Sequence, residues 1–416
     1  MNDATVASSS PRKIRRNNSL ATLNALHRLG SLSRADLARH LGVNRSSAGN
    51  IVLELVEAGL VREVAEGEAA YPASQLRAGR PGILVKIVPE AVLFIGVEIG
   101  VEHMSWVVID LAGKIVRHAA RQFAGQDSAP QDAVRGALDA VLAEVPKALL
   151  ERCQGLGVAV PAQMDSNGLI HVAPILGWRN VDLPRLVRDL LPVNIPVCAE
   201  NDGNAFGIGV TYVQPEAASG VTLFMLIETG VGGSIVIDGK LFRGGNGLAG
   251  EVGHLKTRNP TYRNLEQAFG RDRILSSYRQ HSPDADLSAF ISDVRDRVPQ
   301  AVQLAEEWAS LLAFAVVQIA RLIDPNRIVL GGSVAVLYPL VAARVDAHIR
   351  NLQAATFPVP EIVYNEGPIH GAAFGAACIM HQRYMSHGGH ALYRHGVPAK
   401  ATATQDTKLM TGTDAP

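Results

Sequence analysis

Cysteine is nearly absent from this 416-residue chain. The three residues, Cys153, Cys198 and Cys378, lie far apart. That excludes a disulfide framework and any C-x-x-C metal or redox pair, and it fits a reducing cytoplasm. Long apolar runs are missing as well. The richest stretch, residues 311–323, is broken by Gln318 and Arg321, short of the ~18 residues a membrane helix needs. Residues 1–16 are polar and basic with no apolar h-region, so no secretory leader and no membrane partner are expected. Charged residues make up only 19% against 47% hydrophobic, which argues against a disordered, fibrous or coiled-coil chain. Such a length exceeds one compact core and implies two or three α/β domains.

A net charge of zero hides an asymmetry. Residues 1–86 hold 12 Lys/Arg against 7 Asp/Glu, while the remainder holds 27 against 32. A basic end on a mildly acidic body suggests contact with a polyanion, although scatter of charge gives a similar pattern.

The basic end has helical periodicity. Over residues 18–30, leucines 20, 23, 26 and 29 form one stripe, and Gly30 stops the helix. Ser33 with Asp36 three residues later reads as a capping box that opens a second helix through Leu41. Gly42 and Val43 make a turn. Asn44 caps a third helix whose apolar positions are Ala48, Ile51, Val52 and Leu55, ended by Gly59. Helix, helix, four-residue turn, helix is a helix-turn-helix. Arg45, Ser46, Ser47 and Asn50 open its last helix with polar groups, where a recognition helix offers donors to base edges. Residues 60–64 and 83–88 read as strands around a wing, with Arg77 and Arg80 near its tip as candidates for a narrow minor groove. The alternatives are a helical bundle that only dimerises, and a linker with two solvated arginines.

Beyond Ala91 the pattern changes to strands over residues 92–99, 105–111 and 114–123, a helix over 131–150, and strands over 155–161 and 197–201. A second cycle has strands over 221–228 and 233–238, helices through residue 323, and a strand over 327–330 ending in Gly331-Gly332-Ser333. One pattern repeated once predicts two related lobes facing a cleft. The expected divisions are a flexible basic segment (1–16), a winged helix-turn-helix (17–88), a two-lobed domain (89–385) and a disordered tail (386–416). Lobe one would comprise about 89–200 plus the C-terminal helix, and lobe two about 201–368.

Four segments carry a family resemblance: Ser33-Arg34-Ala35-Asp36-Leu37-Ala38 with Gly79-Arg80-Pro81; Glu200-Asn201-Asp202-Gly203-Asn204-Ala205; Thr229-Gly230-Val231-Gly232-Gly233; and Ala249-Gly250-Glu251-Val252-Gly253-His254. Together, from about Leu20 to about His381, they resemble the ROK family of repressors, open reading frames and sugar kinases. The resemblance implies an actin-like (ribonuclease H-like), two-lobed sugar-kinase fold behind the winged helix. It also implies a sugar site lined by Asn201, Asp202, Glu251, His254 and Glu266. Carboxylates and amides suit vicinal hydroxyls, each both donor and acceptor. Each of the five has an alternative reading as a surface or capping residue.

In the family's kinases Asp202 would take the proton from the attacking sugar hydroxyl. Phosphoryl transfer also needs a phosphate cradle, which the kinases build from Asp-x-Gly-Gly-Thr. Here the turn reads Glu98-Ile99-Gly100-Val101-Glu102, with a β-branched side chain and a carboxylate where a glycine and a hydroxyl belong. Gly230, Gly232, Gly233, Gly331 and Gly332 of the other loops remain, for nucleotide or for backbone turns. The family's cysteine-rich zinc segment after the histidine is replaced by residues 256–266 without a cysteine, so thiolate ligation is excluded. No metal, no cofactor and no catalysis are expected. The resulting expectation is a sugar-responsive regulator, most simply a repressor, that binds operator DNA as a homodimer or homotetramer and answers to a free sugar. Its alternatives are an active kinase with an appended DNA-binding domain, and a regulator controlled by a protein partner.

Overall fold

The computed structural model describes residues 11–65, 83–257, 261–367 and 371–386. After Lys86 the chain passes from an N-terminal unit into a larger one that begins at Ile87. Arg77, Arg80 and the tail beyond Ser386 lie outside the described residues.

In the N-terminal unit, α1 (Pro11–Leu29) starts within the segment expected to be flexible. It is followed by β1 (Leu32–Ser33), α2 (Arg34–Leu41), α3 (Arg45–Glu57), β2 (Val61–Ala65) and β3 (Ile83–Ile87). Local chemistry sets the boundaries. Ser33 Oγ accepts the Asp36 N–H and donates to the Asp36 carboxylate, and these bonds hold the Asp36 carboxyl below its usual range. Gly42, at φ +65°, adopts the left-handed conformation that lets the Val43 N–H return to the Ala38 carbonyl. Asn44 then caps α3 by accepting the Ser47 N–H at 2.8 Å. The turn is thus Gly42, Val43 and Asn44, one residue shorter than expected.

Leu20, Leu23 and Leu26 share a core with Leu37, Ala38, Ile51, Val52 and Leu55, but Leu29 is 54% exposed. Each three-residue step turns a helix by about 300°, so three steps carry the stripe half a turn away from Leu20. The strands pair in the order β1-β3-β2. The β1 strand, two residues between helices, was not expected. Arg34 on α2 donates to Glu63 on β2 at 2.7 Å, tying the helix pair to the sheet of a winged helix-turn-helix.

Lobe one of the larger unit opens with a meander of β4 (Leu93–Ile99), β5 (His103–Asp110) and β6 (Ile115–Gln122). The helix expected over 131–150 is two, α4 (Pro130–Glu144) and α5 (Lys147–Leu150). Pro146 separates them by forcing Val145 into an extended conformation. Next come β7 (Cys153–Val160), then three strands the sequence pattern did not reveal, β8 (Gln163–Met164), β9 (Leu169–Ala173) and β10 (Trp178–Asp182). Helix α6 (Leu183–Leu190) and β11 (Val197–Asn201) complete the lobe.

Helix α7 (Asp202–Val213) leads into lobe two, with its meander β12 (Val221–Ile227), β13 (Val231–Ile237) and β14 (Lys240–Phe242). Helices α8 (Leu265–Phe269), α9 (Arg271–Tyr278), α10 (Leu287–Arg295) and α11 (Pro299–Ile323) precede β15 (Arg327–Gly331). The chain then forms α12 (Tyr338–Leu352), β16 (Glu361–Tyr364) and α13 (Gly371–Met385). The two large sheets, β11-β7-β4-β5-β6 and β14-β13-β12-β15-β16, share one topology. In each, two later strands add parallel to the first strand of the meander.

Helix α11 corrects the apolar-run expectation, since by length and composition it could cross a bilayer. In this fold Trp308, Leu312, Val316 and Ile319 bury it in the lobe-two core beside α12. The three cysteines are free and buried.

Helix α13 lies on β4 and β7 and against α7. Contact is backbone to backbone: a Cβ on Gly96 would collide with the Ala373 carbonyl oxygen, and one on Gly375 with that of Ala205. At the far end of this pair His381 is 1% exposed. Its Nε2 lies 2.9 Å from the Leu111 carbonyl, which can only accept, so Nε2 carries the proton and Nδ1 accepts from the Tyr212 hydroxyl. Replacing His381 by Ala removes both partners and leaves a cavity, a cost of about 3 kcal/mol. Trp106, Trp178 and Trp308 are the chain's only tryptophans and all lie in this unit, so a lower denaturation midpoint in tryptophan emission checks the expectation.

Candidate functional sites

Helix α3 presents the first candidate surface. Arg45, Ser46 and Asn50 are exposed at or near its N-terminus, where the peptide dipoles favour anions, while Ser47 is half-buried and its N–H is spent on the Asn44 cap. Three of the four residues are therefore open to solvent, and Ser47 serves the turn first.

The second candidate is a cleft in the larger unit, lined by residues of both lobes. Its walls are the C-terminal ends of parallel strands, where chain reversals gather side chains from distant segments. All five residues expected there, Asn201, Asp202, Glu251, His254 and Glu266, line it.

Asn201 ends β11 and caps α7, its Oδ1 accepting the Asn204 N–H at 3.1 Å while its Nδ2 donates to the Ala162 carbonyl at 3.2 Å. The capping and cleft-lining readings are both true of it. Its neighbour Glu200 is 4% exposed and is held by Arg243 and by the Asn204 amide. That pair, Glu200 buried and Arg243 half-buried, ties the end of β11 to the segment after β14.

Asp202 follows, accepting the Gly203 N–H at 2.8 Å. Burial pushes its carboxyl up to about 7, and the charges of Glu98, Glu251 and Glu228 add to the effect. Glu251 precedes the 3-10 turn Val252–His254. Burial raises its pKa too, and His254 at 3.6 Å offsets part of that rise. His254 also lies 3.4 Å from Gln163 Nε2, a contact between the two lobes. Glu266, one residue into α8, accepts the Val231 N–H at 3.1 Å, so its carboxylate already secures the glycine-rich turn before β13.

Four polar residues of the cleft carried no expectation from the sequence: Gln163, His103, Glu228 and Arg271. Glu228 stands directly before the Thr229-Gly230 motif and His103 directly after Glu102, so adjacency to a glycine-rich turn was the available signal. Gln163 and Arg271 had none. Glu98 is 7% exposed and accepts the Ser105 hydroxyl at 2.8 Å. Through that carboxylate the pKa of His103 is raised against the opposing effect of burial.

Glu102 departs from expectation. The carboxylate that stands where the kinases have a hydroxyl is half-exposed and ion-paired with Arg271, so its charge is compensated. The other carboxylates at that end are Glu98, which is buried, and Glu228, which is half-buried. The arrangement as a whole offers several acceptors and few cations, which suits an uncharged polyol whose hydroxyls donate.

Two lobes of one topology around an acid-lined cleft, preceded by a winged helix-turn-helix, define a two-domain α/β protein with a nucleic-acid-binding type of module at its N-terminus. Residues 94–383 match the ROK family, and the chain belongs to it. Residues 16–70 match the MarR family. The xylose repressor of Caldicellulosiruptor bescii is 28% identical over 227 residues, which is 54% of this chain and 54% of that protein; the chain thus matches just over half the length of such relatives. Among solved structures, a ROK family transcriptional regulator, described as a homologue of the Escherichia coli Mlc protein, superposes with a TM-score of 0.73 at 19% identity, covering 90% of this chain and 98% of that one. A ROK family glucokinase from Streptomyces griseus, in complex with glucose and AMPPNP, superposes with a TM-score of 0.61 at 22% identity over 70% of this chain and 99% of that one.

Asp202 also makes stability depend on pH. A carboxyl whose pKa is higher folded than unfolded retains its proton in the folded state while the unfolded chain has lost it. Stability therefore falls between pH ~4 and ~7 by about 1.4 kcal/mol per unit from this group, and is flat above. The unfolding midpoint of Asp202→Asn should gain on the wild type across that window and stay parallel beyond it.

Proposed function

We propose that this protein is a sugar-responsive DNA-binding regulator, a repressor of a carbohydrate-utilisation operon that a free sugar releases from its operator. The observation that carries the reading is the joining, in one chain, of an exposed polar recognition-type helix to a cleft lined by Asn201, Asp202, Glu251, His254 and Glu266. The repressor name of the Caldicellulosiruptor relative supports the same direction. The working location is the cytoplasm, and the DNA-bound form is a homodimer or homotetramer, since paired recognition helices read half-sites spaced by whole helical turns. Arg45, Ser46, Ser47 and Asn50 contact the operator, and Arg77 and Arg80, outside the described residues, are assigned the same role.

Sugar binding works through differential affinity for two arrangements of the lobes. A hundredfold change in operator affinity needs roughly 2.7 kcal/mol of coupling. The effector is a free sugar, because an added phosphate would face Asp202 and its neighbouring carboxylates. No phosphoryl transfer is assigned, since the first cradle turn carries Val101 and Glu102.

One observation favours a second reading, an active kinase: a carboxyl poised near pH 7 is what a general base requires. A coupled ATP assay across common hexoses and pentoses separates the two, and turnover above ~1 s⁻¹ would establish the kinase.

For the regulator, operator duplexes selected from random DNA by the purified chain are titrated in fluorescence anisotropy with and without each sugar. Release by one free sugar, with no protein partner present, is the expected result. Arg45→Ala should weaken duplex binding by about 10- to 100-fold while the sugar-induced thermal shift persists. Asp202→Ala should remove the thermal shift and leave duplex binding in place. Because hydroxyl donors favour the ionised carboxylate, sugar affinity of the wild type should rise about tenfold from pH 6 to pH 8.

A further inference from the structure

At one end of the cleft two of the carboxylates that line it, Glu228 and Glu102, each meet a group suited to holding an anion. The first is the turn after β15. Gly332 takes φ +90°, a conformation that only glycine adopts readily, and beyond it the N–H and hydroxyl of Ser333 point the same way. Both donate to one carboxylate, that of Glu228 at the end of β12, with the N–H at 2.8 Å. The second is Arg271, the first residue of α9. Its guanidinium is 16% exposed, donates to the Thr229 hydroxyl at 3.0 Å, and is ion-paired with Glu102 from the β4–β5 turn. A cation so far removed from water needs a counter-charge, and burial already pulls its pKa down. In both places the anion comes from the chain itself.

We propose that Glu228 and Glu102 are built-in anions, occupying the Ser333 turn and the Arg271 guanidinium so that the cleft rejects phosphate-bearing ligands and admits uncharged polyols. The proposal deepens the reading of the cleft as a sugar pocket without nucleotide, and rests on it. It also moves the exclusion of phosphate from the exposed Glu102, acting alone, to a pair. Glu228 takes the backbone and hydroxyl donors, and Glu102 takes the cation. An arriving phosphate would have to displace both carboxylates and would then meet them, with buried Glu98, as unpaired like charges. A carboxylate in this role is a specificity residue, because it acts on what may enter rather than on a reacting atom.

The test is calorimetric titration of the sugar-free chain with magnesium AMPPNP and, separately, with inorganic tripolyphosphate. The wild type should show no saturable binding tighter than about 1 mM. Glu228→Ala, and more strongly Glu102→Ala/Glu228→Ala, should gain saturable binding of at least one probe by about tenfold or more. Gain with tripolyphosphate marks a general polyanion seat, and gain with AMPPNP alone marks one that also uses the nucleoside; both support the proposal. Saturable binding of either probe to the wild type overturns it. So does an absence of gain in variants whose tryptophan-monitored unfolding remains cooperative. Should Glu228→Ala fail to fold, Glu228→Ser removes the charge and frees the Ser333 donors, and no gain there is equally decisive. Since no sugar is present, failure here leaves sugar-controlled operator release standing, and failure of that release leaves this result standing.

Discussion

A carboxylate withdrawn from water must find a donor or keep its proton, and the cleft is organised by that constraint. Glu200 has Arg243 and an amide; Glu98 has the Ser105 hydroxyl and His103; Glu228 has the Ser333 turn. Asp202 has one backbone N–H and three neighbouring like charges, and its carboxyl is held near 7. It is the acid in the cleft with the most to gain from a ligand hydroxyl. Its raised pKa follows first from burial and then from the neighbouring charges of Glu98, Glu251 and Glu228.

Repetition of one sheet topology is what brings these groups together. Because β11 adds parallel to β7 and β4 in lobe one, and β16 parallel to β15 and β12 in lobe two, strands from both lobes end at the cleft. Helix α7 begins there at Asp202 and runs back along α13, which glycines bring onto the sheet backbone itself. The His381 contact to Leu111 and Tyr212 closes the far end of that path.

The helix-turn-helix was legible almost residue by residue. Its signals are short-range: a serine three residues before an aspartate, a glycine that alone relaxes at φ +65°, an asparagine that accepts an amide three positions on. Periodicity was a weaker guide, since Leu29 belonged to the leucine stripe by spacing and fell on the solvent side by helical geometry. In the body, β4, β5, β12 and β13 were readable from runs of apolar residues, whereas the three-residue β14 was not. The two-residue strands β1 and β8 were not, because neither is long enough to show alternation. Likewise Pro146 was read as part of a helix it interrupts.

From sequence alone came the repeated two-lobe pattern, the caps of α2 and α3, the absence of thiolate metal ligands and, through the family resemblance, the five polar residues that line the cleft. Each of these depends on chemistry within a few positions along the chain or on a motif preserved in order. Only the tertiary structure could decide that Glu102 meets Arg271 169 positions later in the numbering, that Glu228 is taken by Ser333, and that Gln163 reaches His254. Such partners are set by which strand ends share a cleft, and the pairing energy of a charge depends on a burial that no local pattern encodes.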